Sequence, residues 1–203
     1  MDLDFNSVST CEYADALSRD QFMDYKIHCL YQPAGKISGP AFTVKCAPGD
    51  HLMLHAAIYR ASPGDIIVVE ADDQFAVAGG NVCAIAKERG IKGFVIDGVV
   101  RDIGEIREMQ FPVFALGGMP KSAGKKVVSP LNQPVTCGGV TVNPGDIIVA
   151  DEEGIACIPK DKVEEAYAVA KDRAIKDSVP LSEWRDKHST NVENILEKLG
   201  YKD

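Results

Sequence analysis

The stretch that decides the fold is GGNVCAIAKERGIKGFVIDGVVRD, residues 79–102. Two glycines open a predicted helix over about residues 81–89, and Gly90 stops it. The apolar run at 93–96 reads as a buried strand that ends at Asp97-Gly98, with Arg101 and Asp102 just beyond. Helix N-termini present unpaired N–H groups and attract anions. In open α/β sheets ligands gather beyond the carboxyl ends of strands. One short stretch therefore places an anion cradle, a guanidinium and a carboxylate on one rim.

Working outward, residues 41–46 alternate as a strand, with Phe42, Val44 and Cys46 against Thr43 and Lys45, and the Gly- and Pro-rich residues 31–39 before them read as a loop. Asp50 is placed to cap a helix over 51–59, on which His51 and His55 are four apart and share a face. A metal pair is one reading of those histidines; the other puts one near the helix start and packs one against the sheet. The phrase PGDIIV occurs at 63–68 and again at 144–149, each time as a Pro-Gly turn feeding a short apolar strand. Glu70, Asp72 and Asp73 follow the first copy, and Asp151, Glu152 and Glu153 follow the second, as solvated strand ends or as site carboxylates.

Toward the C-terminus, 103–109 is a predicted short helix, 111–116 a strand, and 117–126 a flexible basic loop carrying Lys121, Lys125 and Lys126. Short strands are expected at 127–128, 135 and 140–142, and 155–158 pairs back on 147–149. The spacing of Val163, Ala166, Tyr167, Ala170 and Ala174 predicts an amphipathic helix over 160–177. A capped helix is expected over about 9–19, and a last helix near 192–199. The pattern predicts a layered α/β protein with a mixed sheet whose strand order is not legible.

With 22 Lys and Arg against 30 Asp and Glu, the net charge is −8, which argues against a nucleic-acid surface. No apolar run reaches membrane-spanning length, and the opening MDLDFNSVSTCEYAD has no signal-like region, so a cytoplasmic protein with no membrane partner is expected. The six cysteines form no C-x-x-C pair and read as free, mostly buried thiols rather than a zinc cluster. The glycines are no dinucleotide fingerprint, since no G-x-G-x-x-G lies between a strand and a helix. Gly79 and Gly80 read equally as a tight turn or as room for a ligand. Arg101 offers a planar fork for a carboxylate, and Asp102 a ligand for a hard cation that keeps its waters. Adjacent residues on a strand face opposite ways, so the pair converges only on a turn beyond Val100. The plainer reading is a local ion pair or a helix-start acid.

The text PGDIIVVEAD at 63–72, GGNV at 79–82, RGIKGFVIDGVVRD at 89–102, FPVFALG at 111–117 and PGDIIVADEEGIACIP at 144–159 resembles the RraA-like family. That family includes 4-hydroxy-4-methyl-2-oxoglutarate aldolases and the regulator of ribonuclease E activity A. The resemblance implies a swivelling β/β/α domain over 1–177 with a helical extension over 178–203, and a homotrimer or homohexamer with sites at subunit interfaces. It implies that the amides of Gly79, Gly80, Asn81 and Val82 bind a substrate carboxylate, that Arg101 contacts substrate, and that Asp102 binds Mg²⁺ or Mn²⁺. Lys125 corresponds to a basic residue of the pocket, and Asp177 to an acid that reaches a neighbouring site. Two positions depart from the family: aldolases often carry Asp or Glu where Gly80 stands, and Leu is usual where Val82 stands.

The expected activity is a divalent-metal-dependent lyase that releases pyruvate from a 2-oxo dicarboxylic acid, by retro-aldol cleavage or by decarboxylation of oxaloacetate. Glu70, Asp72 and Asp177 are the weaker candidates for a base. The absence of an acid at position 80 predicts decarboxylation ahead of aldol cleavage. The alternatives are a non-enzymatic regulator that binds a protein such as a ribonuclease, and a related metal-dependent enzyme acting on a sugar acid or sugar phosphate.

Overall fold

A computed structural model describes residues 3–201 of the chain. Its centre is a seven-stranded mixed sheet in the order β1-β5-β4-β3-β2-β8-β9. Four parallel strands form the middle: β2 (Ile37–Lys45), β3 (Ile66–Glu70), β4 (Gly93–Val100) and β5 (Val113–Gly118). Three helices make the crossovers between them: α2 (Leu52–Ile58), α3 (Gly80–Glu88) and α4 (Ile103–Glu108). Antiparallel strands close both edges, β1 (His28–Cys29) on β5, and β8 (Ile147–Ala150) with β9 (Ile155–Ile158) beyond β2. A separate hairpin joins β6 (Val135–Cys137) to β7 (Val140–Val142). This is the layered, mixed-sheet α/β architecture of a swivelling RraA-like domain, as the sequence predicts.

The central strand explains the order. Ile66, Ile67, Val68 and Val69 of β3 are completely buried, because helices cover the sheet and the strand cannot alternate. Each such side chain contributes about 1.5–3 kcal/mol by leaving water, so this run belongs in the middle. Both copies of PGDIIV use the same turn. Gly64 and Gly145 have φ of 97° and 84°, and Asp65 and Asp146 accept the N–H of Ser62 and Asn143, each at 2.8 Å.

Several boundaries differ from the sequence reading. β2 begins at Ile37, inside the expected loop, because residues 37–40 pair with β8 before residues 41–45 pair with β3. Pro40 sits where the strand changes partner, a position that tolerates a missing N–H. β4 runs past Asp97-Gly98 to Val100 through a register shift between Ile96 and Val99. α1 (Thr10–Tyr13) is a single turn held by the Ser9–Glu12 capping box, and it stops well short of residue 19. Residues 127–128 form no strand, whereas α6 (Leu181–Lys198) is far longer than the stretch near 192–199.

α1 and α5 (Val163–Asp177) pack on β8 and β9 through a second cluster that includes Tyr13, Leu17, Ala166 and Ala170. Asp151 ties α1 in place by accepting the Thr10 amide at 2.9 Å and its hydroxyl at 2.6 Å. All six cysteines are free thiols, and every one but Cys11 is buried. Among the described residues no helix is long and apolar enough to cross a membrane.

Candidate active site

Each parallel strand delivers residues to one rim at its carboxyl end. His51 and His55 follow β2, residues 76–79 follow β3, Arg101 and Asp102 follow β4, and Ser122 and Lys125 follow β5. All of these line a cavity of about 380 Å³, at the place where open α/β sheets hold ligands.

Arg101 and Asp102 converge because the backbone turns. Asp102 has φ 59° and ψ 38°, a left-handed conformation that aspartate tolerates better than most residues. The turn sets Arg101 Nε 3.4 Å from Asp102 Oδ2. Asp102 precedes α4 but bonds none of its amides; its Oδ2 accepts the N–H of Gly80, the first residue of α3, at 3.1 Å. The carboxylate thus sits at the N-terminus of the neighbouring helix, where negative charge is favoured. Gly79 is glycine for want of room. A Cβ there would stand 2.5 Å from Asp102 Oδ2 and 3.0 Å from Arg101 Cγ, while its φ of −165° is ordinary extended backbone.

Bonding within α3 begins with the Cys83 N–H on the Gly79 carbonyl at 3.0 Å. The amides of Gly80, Asn81 and Val82 therefore have no partner four residues back. Gly80 is committed to Asp102, which narrows the cradle to Asn81 and Val82, and both residues line the cavity.

Lys125 reaches the cavity because its loop is tied down. Ala76 donates to the Lys121 carbonyl at 2.7 Å, Gly124 to Gly49 at 2.7 Å and His51 to Gly124 at 2.9 Å. The expected flexible loop is instead laced to residues 49–51 and 76. Asp50 completes the lacing: Oδ1 accepts the Leu52 amide at 2.9 Å, and Oδ2 accepts the amides of Lys126 and Val127.

The histidines are the residues that sequence reasoning left outside the site. Their rings stack at a tilt with centroids 4.4 Å apart, and both line the cavity. Burial, then the charge of Lys125, holds His51 below the ordinary histidine range. Burial, then His51 and Lys125, pushes His55 down to about 4. Both are neutral at pH 7. The signal was present, since they follow the predicted strand at 41–46 as Arg101 follows its own. A second missed residue is Glu105 of α4, whose carboxylate lies over Gly80 in the space a side chain there would enter.

The weaker carboxylates lie elsewhere. Glu70 pairs with Lys45 Nζ at 2.5 Å and accepts the Thr136 amide at 2.9 Å, fastening β3 to β6. Asp72 accepts the amides of Gly49, Gln74 and Phe75 and shapes the turn after β3. Asp177 is exposed at the end of α5 and pairs with Arg173 Nε at 2.7 Å. None of the three lines the cavity of its own chain.

Among the described residues no three His, Cys, Asp or Glu side chains converge as a metal cage. The donor set on the cavity is one carboxylate, Asp102, whose two contacts both fall on Oδ2. One carboxylate with water and a chelating substrate is a donor set that suits Mg²⁺ or Mn²⁺, so these residues fit such an ion.

The family model for RraA-like proteins, described as aldolase/RraA, matches residues 10–157. The chain belongs to the RraA-like family. It is 42% identical over 186 residues, 86% of its length and 88% of the relative's, to a protein of Halalkalibacterium halodurans named "Putative 4-hydroxy-4-methyl-2-oxoglutarate aldolase". Among solved structures it is similar to RraAS2 of Streptomyces coelicolor, described as an unusual member of the RNase ES inhibitor RraA protein family. The TM-score is 0.77 at 28% identity, over 85% of this chain and 91% of that one. It is also similar to the RNA-processing inhibitor RraA of Thermus thermophilis, with a TM-score of 0.63 at 27% identity over 68% and 84% of the two chains. The family thus holds both proteins named as aldolases and proteins named as inhibitors of RNA processing.

Proposed function

We propose that this member is a divalent-metal-dependent lyase that releases pyruvate from a 2-oxo dicarboxylic acid. The observation that carries the reading is the Arg101–Asp102 pair, turned together onto one cavity at the N-terminus of α3. A surface that only bound a protein would have no use for a guanidinium, a carboxylate and free helix amides converging inside a pocket.

Each group has a task. Asp102 holds Mg²⁺ or Mn²⁺. Arg101 clasps one substrate carboxylate with two parallel N–H bonds. The amides of Asn81 and Val82 add preorganised donors, and Lys125 balances the charge of the second carboxylate. The bound ion supplies a Lewis acid for the charge that develops on the 2-oxo oxygen. Breaking the C3–C4 bond leaves an electron pair that becomes the enolate of pyruvate. Loss of CO₂ from oxaloacetate asks no more of the protein. Retro-aldol cleavage also needs an acceptor for the proton of the C4 hydroxyl. Following the family resemblance, we place the working site in a homotrimer or homohexamer, with residues 178–203 as an extension of the 1–177 domain and Asp177 directed toward a neighbouring subunit.

A panel of 2-oxo dicarboxylic acids assayed for pyruvate release tests the proposal. Release from 4-hydroxy-4-methyl-2-oxoglutarate or oxaloacetate well above the metal-only rate is the expected result. The second reading, a regulator of RNA processing, is favoured by the two RraA structures above and by the net charge of −8. It predicts no pyruvate release from any member of the panel, together with measurable binding to a ribonuclease.

A further inference from the structure

His51 and His55 are buried in a manner that packing does not explain. Nδ1 of His51 and Nε2 of His55 have no hydrogen-bond partner, and His51 is 92% buried (8% exposed). A buried polar atom without a partner costs about 1–3 kcal/mol. An apolar residue of similar size would avoid that cost at either position. Both rings nevertheless line the cavity that holds Arg101 and Asp102.

The chemistry of the wall narrows what it meets. Arg101 and Lys125 are donors without lone pairs, and they match carboxylates. Asp102 is engaged with Gly80 and Arg101. The imidazoles are neutral, so each keeps one nitrogen lone pair. An ionised carboxylate against that lone pair would face acceptor with acceptor. A hydroxyl, which can donate, fits. The His51 ring interacts on one side with the Val77 backbone. A ring whose N–H is given to a backbone carbonyl has its tautomer fixed, with its other nitrogen as the acceptor. The charges of Lys125 and Arg101 both act on His51, whereas only Lys125 of the two acts on His55, which puts His51 nearer the reacting end.

We infer that His51 is the catalytic base of this site: it accepts the proton of the C4 hydroxyl of a hydroxylated 2-oxo dicarboxylic acid, with His55 as the neutral wall behind it. The inference rests on the lyase reading and specifies its substrate as one carrying a hydroxyl. In the forward step the O–H proton passes to His51 and the O–H electron pair forms the new carbonyl. The C3–C4 pair remains on C3 as the enolate. In the second step the imidazolium returns its proton to C3, which gives pyruvate and regenerates neutral His51. No oxidant, reductant or further reactant enters. Because this chain has no acid at position 80, the base comes from the strand end two positions away in the sheet.

The test compares two reactions in the intact, metal-loaded protein: cleavage of 4-hydroxy-4-methyl-2-oxoglutarate, which needs a base, and decarboxylation of oxaloacetate, which does not. The variants are H51Q, H51N and H51A, each checked for folding by circular dichroism. The ratio of cleavage kcat to decarboxylation kcat should fall by about 100-fold or more in all three, in line with the usual effect of a general base. Added imidazole should restore part of the cleavage in H51A, a rescue that a structural role would not produce. A parallel fall in both reactions without imidazole rescue, or an unchanged ratio, overturns the assignment and leaves the lyase reading standing. Wild-type decarboxylation without cleavage overturns it in the same way. Release of pyruvate from neither substrate by the wild type overturns both.

Discussion

The carboxylate of Glu105 occupies the space directly over the Cα of Gly80. A carboxylate that family aldolases often place on α3 has its counterpart here on α4, one helix away. The substitution of glycine at position 80 therefore makes room for an acid rather than deleting one from the neighbourhood.

This pairing changes what a reintroduced acid should do. Gly80→Asp in the wild-type background forces two carboxylates into one space and displaces Glu105, so any gain in cleavage over decarboxylation should be small. In a Glu105→Ala background the same change is accommodated, and the gain should be larger. The two effects should be non-additive by about 1 kcal/mol or more, within the range for contacting residues. A double-mutant cycle on cleavage kcat/KM measures this coupling, and strict additivity would show that the two positions are independent.

Asp102 stands in a left-handed backbone, so the choice of replacement matters. Asn keeps the conformation at little cost, whereas Ala adds about 1 kcal/mol or more of backbone strain. Asp102→Asn should keep the wild-type circular dichroism spectrum and lose metal-dependent pyruvate release. Full activity in this variant would remove Asp102 from the metal site.

Arg101→Lys retains the charge and loses the planar fork. Cleavage kcat/KM should fall roughly tenfold or more, about 1.4 kcal/mol in transition-state stabilisation. Equal kinetics for the two residues would mean that only a point charge is used there.

The buried histidines make folding sensitive to mild acid. His55 titrates at about 4 in the fold against 6.5 for the model group. Below pH 6.5 the unfolded chain takes up a proton that the folded chain refuses until about pH 4. Stability therefore declines as pH falls through that window, by about 2 kcal/mol between pH 7 and pH 5 from this residue alone. Urea unfolding at both pH values should show a smaller decline for His55→Gln than for the wild type. An identical decline in the two proteins would contradict the assigned shift.

The parts of this molecule legible in the sequence are those set by local physics. Gly90 ends α3, the Pro-Gly turns launch β3 and β8, and the apolar spacing of α5 declares a helix. The convergence of Arg101 with Asp102 was legible only as a condition, a turn beyond Val100, since no residue pattern announces a left-handed aspartate. The start of β2 was hidden because Gly39-Pro40 looks like a turn until β8 supplies its partner. Lys125 was read on a mobile loop because the bonds that fix it come from Gly49, His51 and Ala76, distant in the chain. The histidine pair was visible as a shared helix face. Its place in the site depends on four strands ending on one rim, and strand order is a tertiary property.

Pyruvate release by the purified protein, first stripped with EDTA and then restored with Mg²⁺ or Mn²⁺, tests the central claim most directly. With 4-hydroxy-4-methyl-2-oxoglutarate or oxaloacetate as substrate, activity should vanish with the chelator and return with the metal, well above free metal alone, in the wild type and not in Asp102→Asn. Undiminished release in EDTA, or release by restored wild type no faster than by free metal, would contradict the account.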